Sequence, residues 1–193
     1  MDYDKAGRRA LMVNGKHVGW FEATGDTETD LQLAIARIKE LGYEAPDLPQ
    51  WMRIRQQAMD FRDACGLIMN YDQNERGKER RPLSVPYIVN SAFCIELYLK
   101  ALSLRHGCDQ RGHDLLKIYE RLPPGAKIAL EDRVKDAQLE VDYSGNTDIK
   151  ALLSVIKDNF LKWRYLHEHG RLSTVSMPQL RFLRALLHRA CLN

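Results

Sequence analysis

Late in the chain, Phe160-Leu-Lys-Trp-Arg-Tyr-Leu-His-Glu-His-Gly170 interleaves aromatic and basic side chains. Arginine grips a phosphate through a planar fork of N–H donors. Histidine takes or gives a proton near neutral pH. Arg164 and His169 are therefore a minimal kit for cleaving RNA without a metal. In that chemistry histidine activates the 2′-hydroxyl or protonates the leaving group, and arginine steadies the phosphate. Helical spacing complicates the pairing. Steps of about 100° per residue put positions 164 and 169 roughly 140° apart on a straight helix. His167 and Glu168, three and four residues on, sit nearer Arg164. Two readings stay open. One is an Arg164–Glu168 pair with the histidines at a frayed helix end. In the other, a bend at Gly170 or a two-fold dimer makes the groups converge.

A second set of polar residues lies in Ser91-Ala-Phe-Cys-Ile-Glu-Leu-Tyr-Leu-Lys-Ala-Leu-Ser-Leu-Arg-His106. This stretch has no Gly or Pro and is apolar nearly all round, which marks a central, buried helix. Glu96, Lys100 and Ser103 form its one polar stripe. The stripe is either a solvent-facing strip with an ordinary Glu–Lys pair or the lining of a polar site. His113 precedes Asp114, a well-placed helix N-cap, and either faces the same seam or only packs. His167 and His169 with His106 or Cys108 lack the carboxylate or cysteine cluster a metal needs, so no metal site is expected. Ser91 and Ser103 have no legible histidine-plus-acid arrangement. A Gly-rich phosphate loop is absent, and no cofactor is expected.

With 193 residues there is room for one full domain and a small appendage. Basic and acidic residues nearly balance, 29 against 26, so global charge does not demand a nucleic-acid partner. The four cysteines, Cys65, Cys94, Cys108 and Cys191, form no CxxC pair. They point to a reducing, cytoplasmic protein without a disulfide framework. No signal peptide is expected, and no apolar run is long enough to span a bilayer.

The positioning elements follow from pattern. Ala10–Val13 and His17–Phe21 flank Asn14-Gly15, the strongest short-range hairpin signal. Helix-start residues lie in Thr24–Asp30, after which Leu31, Ala34, Ile35, Ile38 and Leu41 recur at helical spacing up to Gly42. Residues 1–44 thus read as a small ββα unit, too small to be stable alone. A Pro-punctuated linker at Ala45–Pro49 separates it from a helical remainder, residues 50–193. There the spacing predicts a helix from Trp51 to about Tyr71, then a charged, solvated loop over Asp72–Pro82, then the core helix. A short helix starts at His113, and Pro123-Pro-Gly125 separates it from an amphipathic helix through about Glu140. Asp142–Asp148 is a loop, a second long helix runs from Ile149 to about His169, and Pro178 opens the last, Gln179–Leu192.

Three of these stretches, in this order, resemble the HEPN domains of prokaryotes. They are Ser91-Ala-Phe-Cys-Ile-Glu-Leu-Tyr-Leu-Lys-Ala-Leu102, Arg111-Gly-His-Asp-Leu-Leu-Lys-Ile-Tyr119 and Trp163-Arg-Tyr-Leu-His-Glu168. The resemblance covers about residues 50 to 193. It implies an up-and-down helical bundle, commonly a homodimer, and in many members a metal-independent ribonuclease of toxin–antitoxin or phage-defence systems. An antitoxin or a nucleotidyltransferase-like protein is then the expected partner. The family signature is Arg, a residue usually polar, three of any kind, then His. Here it falls on Arg164, Tyr165, Leu166-His-Glu168 and His169, with Tyr165 where Asn, Asp or His is usual. A subgroup without a working motif serves as a non-catalytic nucleotide-, RNA- or partner-binding dimerisation module, which is the alternative for this chain. Glu96 and Lys100 match polar positions in similar domains and are expected around the Arg164 site, with a plain ion pair as the alternative, while His113, His167 and Glu168 are the further supporting or binding candidates. Gly19 to Thr27 is similar, over a few residues only, to the start of HicB-type antitoxins.

Overall fold

The computed structural model describes residues 8–13, 15–43, 48–74, 82–157 and 175–192. The protein is mainly helical, with one small antiparallel sheet ahead of the helices. The chain divides into two compact units, Met1–Asp47 and Leu48–Asn193.

In the first unit, β1 (Arg9–Val13) pairs with β2 (Lys16–Phe21), Arg9 opposite Phe21 and Val13 opposite Lys16. Gly15 takes a positive φ of 75°, as a tight hairpin turn requires. Helix α1 (Thr27–Glu40) starts at Asp26, whose carboxylate accepts the Thr29 N–H at 2.8 Å. Gly42 ends it in the left-handed region, with Tyr43 N–H returning to Ile38 O. The apolar spacing that predicts this helix misplaces its inner face. Asp30 is the buried residue, its carboxylate held by the Thr24 N–H and hydroxyl and by Arg9. That anchor rotates the helix, and Leu31 and Ile35 are left 56% and 51% exposed. Leu41 instead packs on Gly19, where an added Cβ would lie 2.9 Å from its Cδ1.

The second unit begins with α2 (Gln50–Asn74) and α3 (Ser84–Arg105). The Cys94 thiol donates to Ala58 O at 3.2 Å, and the Cys65 thiol to Tyr87 O at 3.9 Å, so the two helices run antiparallel. The Asp72 carboxylate accepts the Leu83 N–H at 3.0 and 3.1 Å, joining the end of α2 to the start of α3. Helix α2 therefore runs past Tyr71 into the expected loop, of which residues 75–81 lie outside the described residues. Helix α3 starts one and a half to two turns ahead of the apolar stretch that signals it, with Pro86 in its first turn, where a missing N–H breaks no bond.

Four shorter helices follow: α4 (Leu115–Glu120), α5 (Pro124–Glu131), α6 (Val134–Val141) and α7 (Ile149–Ile156). Pro124 opens α5 instead of separating it from its neighbour, because its fixed φ suits a first helical turn. The expected single helix through Glu140 is two, divided at a tightened turn in which Arg133 N–H bonds Leu130 O. Helix α8 (Met177–Ala190) packs on α3, α5 and α6, and α4 packs on α3 and α7. The expected run of α7 on to about His169 lies, beyond Lys157, outside the described residues.

Helix α3 is the centre of the core. Tyr87, Cys94, Ile95, Tyr98, Leu99, Ala101 and Leu102 are fully buried. Contrary to the sequence expectation, it is long and apolar enough to cross a membrane, alone among the described residues, because it starts at Ser84, ahead of the apolar stretch; 72% of that apolar window is buried within the protein. At its centre the Tyr98 hydroxyl lies 2.9 Å from His188 Nδ1. Burial, reinforced by Arg62, pulls the His188 pKa from 6.5 down to about 4. The unfolded chain thus binds this proton at higher pH than the folded one. Stability from this group is complete above about pH 6.5 and is lost as pH falls toward 4, by about 3 kcal/mol in total. Urea titrations at pH 7 and 4.5 should show that slope in the wild type and its loss in His188→Gln. Equal slopes in the two proteins would contradict it.

Candidate functional site

Helix α3 sets Glu96 and Lys100 one turn apart, with the Lys100 ammonium donating to Glu96 Oε1 at 2.8 Å. Gly107, at φ 80°, ends the helix and turns the chain back. Ser103 Oγ donates to Cys108 O at 2.8 Å, and Gln110 Nε2 donates to Ser103 Oγ at 2.7 Å and to Ile118 O at 3.1 Å. These bonds pin the return loop to α3 and α4. The Asp114 carboxylate then caps α4 by accepting the Lys117 N–H at 3.1 Å. His113, just ahead of that cap, arrives with Nδ1 2.9 Å from the same Glu96 oxygen.

The result is a three-member cluster on one carboxylate oxygen. Glu96 is 1% exposed, Lys100 21% and His113 55%. The second oxygen, Oε2, is buried and has no hydrogen-bond partner among the described residues. The solvent-facing reading of the stripe is therefore overturned for Glu96 and Ser103, both buried, because α3 is covered on this side by the return loop and α4. Ser103 belongs to the loop anchor, not to the cluster. His113 faces the seam, one of its two sequence readings.

The main chain at Lys157 lies at the start of α4, its carbonyl 3.5 Å from the Leu115 N–H. Arg164, His167, Glu168 and His169 fall outside the described residues. Among the described residues, no group of three or more His, Cys, Asp and Glu is placed to hold a metal ion. Cys65, Cys94, Cys108 and Cys191 are all free thiols. Burial raises the pKa of Cys94 strongly and that of Cys191 to about 12, so neither is a ready nucleophile.

Spacing did not point to a second polar group, inside the core. Arg184 is 7% exposed, donates to the Tyr87 hydroxyl at 2.8 Å and lies 5.0 Å over that ring. Burial raises the pKa of Tyr87, which keeps its hydroxyl protonated. The available cue was Arg184 and His188, four residues apart among Leu180, Leu183 and Leu187 on an otherwise apolar face. No family model, curated protein or solved structure matches this chain.

Proposed function

We propose that this chain is a metal-independent ribonuclease of the HEPN kind, acting in the cytoplasm within a toxin–antitoxin or phage-defence system. One observation carries the reading: buried Glu96 holds both an ammonium and an imidazole at the edge of solvent. Burying a carboxylate costs stability that an apolar residue would not cost. Such a placement supports a site that handles charge and protons. In this reading Arg164 clamps the phosphate and His169 exchanges a proton with the RNA, while Lys100 attracts the backbone. The protein acts as a homodimer in which paired motifs share a cleft, and an antitoxin or nucleotidyltransferase partner restrains it.

The second reading is a non-catalytic RNA- or partner-binding dimerisation module. It is favoured by Tyr165, which stands where the signature usually has a small polar residue. Incubating purified protein with single-stranded RNA in EDTA separates the two. The ribonuclease reading expects cleavage undiminished by the chelator. Binding without cleavage, with or without added divalent metal, would transfer the conclusion to the module.

A further inference from the structure

The first unit does not close a core of its own. Among its described residues only Leu11 and Asp30 are buried. Met12, Leu31, Leu33 and Ile35 are 52%, 56%, 42% and 51% exposed. One hairpin on one helix buries too little apolar surface to stand by itself. Apolar side chains gathered on so small a unit mark an interaction face.

Glu28, Leu31, Ile35 and Lys39 stand three or four residues apart and form one stripe along α1. The stripe is acidic at its start, apolar in its middle and basic at its end. Leu31 also borders a groove of about 560 Å³ whose other walls include Ala10, Met12 and Phe21. On another side of the helix, Arg37 and Glu40 pair with each other at 2.8 Å. Among the described residues Glu28 and Lys39 form no ion pair. A stripe with this order of charges is complementary to itself turned end for end. Laid antiparallel across a two-fold axis, two copies set each Glu28 against the other's Lys39 and each Leu31 beside the other's Ile35. A parallel pair would bring like charges together. The phosphates of a nucleic acid would meet Glu28 and an apolar middle.

We propose that α1 is a self-association surface, through which two copies of this chain pair antiparallel along the Glu28–Lys39 stripe. The contact lies in the first unit and does not rest on the ribonuclease reading.

The test is chemical cross-linking of the full chain carrying Gln32→Cys, an exposed position beside the stripe, with Cys108→Ser to remove the one native thiol that is not buried. Packed helices lie about 8–10 Å apart, so a short bismaleimide joins the two position-32 thiols. Cross-linked dimer on a denaturing gel is the expected result. Adding Glu28→Lys sets two Lys–Lys pairs across the axis, and adding Lys39→Glu sets two Glu–Glu pairs. Each should lower the yield at dilution by roughly tenfold. Mixing the two variants recreates both opposite-charge pairs and should restore the yield. Loss without recovery on mixing would assign the effect to fraying of the helix ends, whose dipole these changes also oppose, and would overturn the pairing. Yields unchanged in both variants would mean that the charges do not meet, which contradicts the antiparallel contact. No cross-linked dimer in the parent protein would overturn self-association and leave the face to another occupant.

Discussion

His169→Ala is expected to slow cleavage of ordinary RNA by about 10²–10⁴-fold while sparing most RNA binding, the usual worth of acid–base help. Arg164→Ala should damage both, because a guanidinium grips the phosphate in the ground state and also meets the charge that develops in the transition state. Single-turnover cleavage beside a binding titration reads the two effects separately. The spacing supplies an internal control. His167 lies nearer Arg164 on a straight helix. Loss of cleavage in His167→Ala with none in His169→Ala would mean that the motif is read in the wrong register.

Glu96→Ala is expected to destabilise the protein by about 3 kcal/mol, the lower end for removing one partner of a buried ion pair. The side chain is 1% exposed, and its removal also leaves a cavity in packed surroundings. Lys100 keeps 21% of its surface in water, which moderates the loss. Glu96→Gln preserves the volume and one hydrogen bond, so its cost should be near 1 kcal/mol. Urea denaturation of both variants checks this. A cost below about 0.5 kcal/mol for Glu96→Ala would mean that the carboxylate is not the anchor its burial describes.

How much of this was legible in the sequence differs by residue. The hairpin was, because Asn14-Gly15 between two β-prone runs leaves few alternatives. So was the core helix, since a stretch apolar on every side can only be buried. Asp114 as a cap followed from its type and place. Glu96 and Lys100 were legible as a pair, but their burial was not. One-dimensional spacing says that two residues share a face. It does not say whether a loop later covers that face, and here residues 108–113 return over α3 and decide it. The same limit explains α1. Five apolar residues at helical spacing mark an inner face, yet Asp30, tied to Thr24 and Arg9, sets the rotation. Long-range polar contacts override periodicity in both places. Arg184 and His188 went unread because a polar residue in an apolar helix is informative only once its partner, Tyr87 or Tyr98, is known.

The most direct measurement of the proposed function is mass spectrometry of RNA fragments produced by the purified wild-type protein in EDTA. Attack by the neighbouring 2′-hydroxyl leaves fragments ending in 2′,3′-cyclic phosphate and beginning with a 5′-hydroxyl, and that pair of ends is the expected result. Fragments with 5′-phosphate and 3′-hydroxyl ends, cleavage that stops when metal is chelated, or RNA recovered intact would each contradict it.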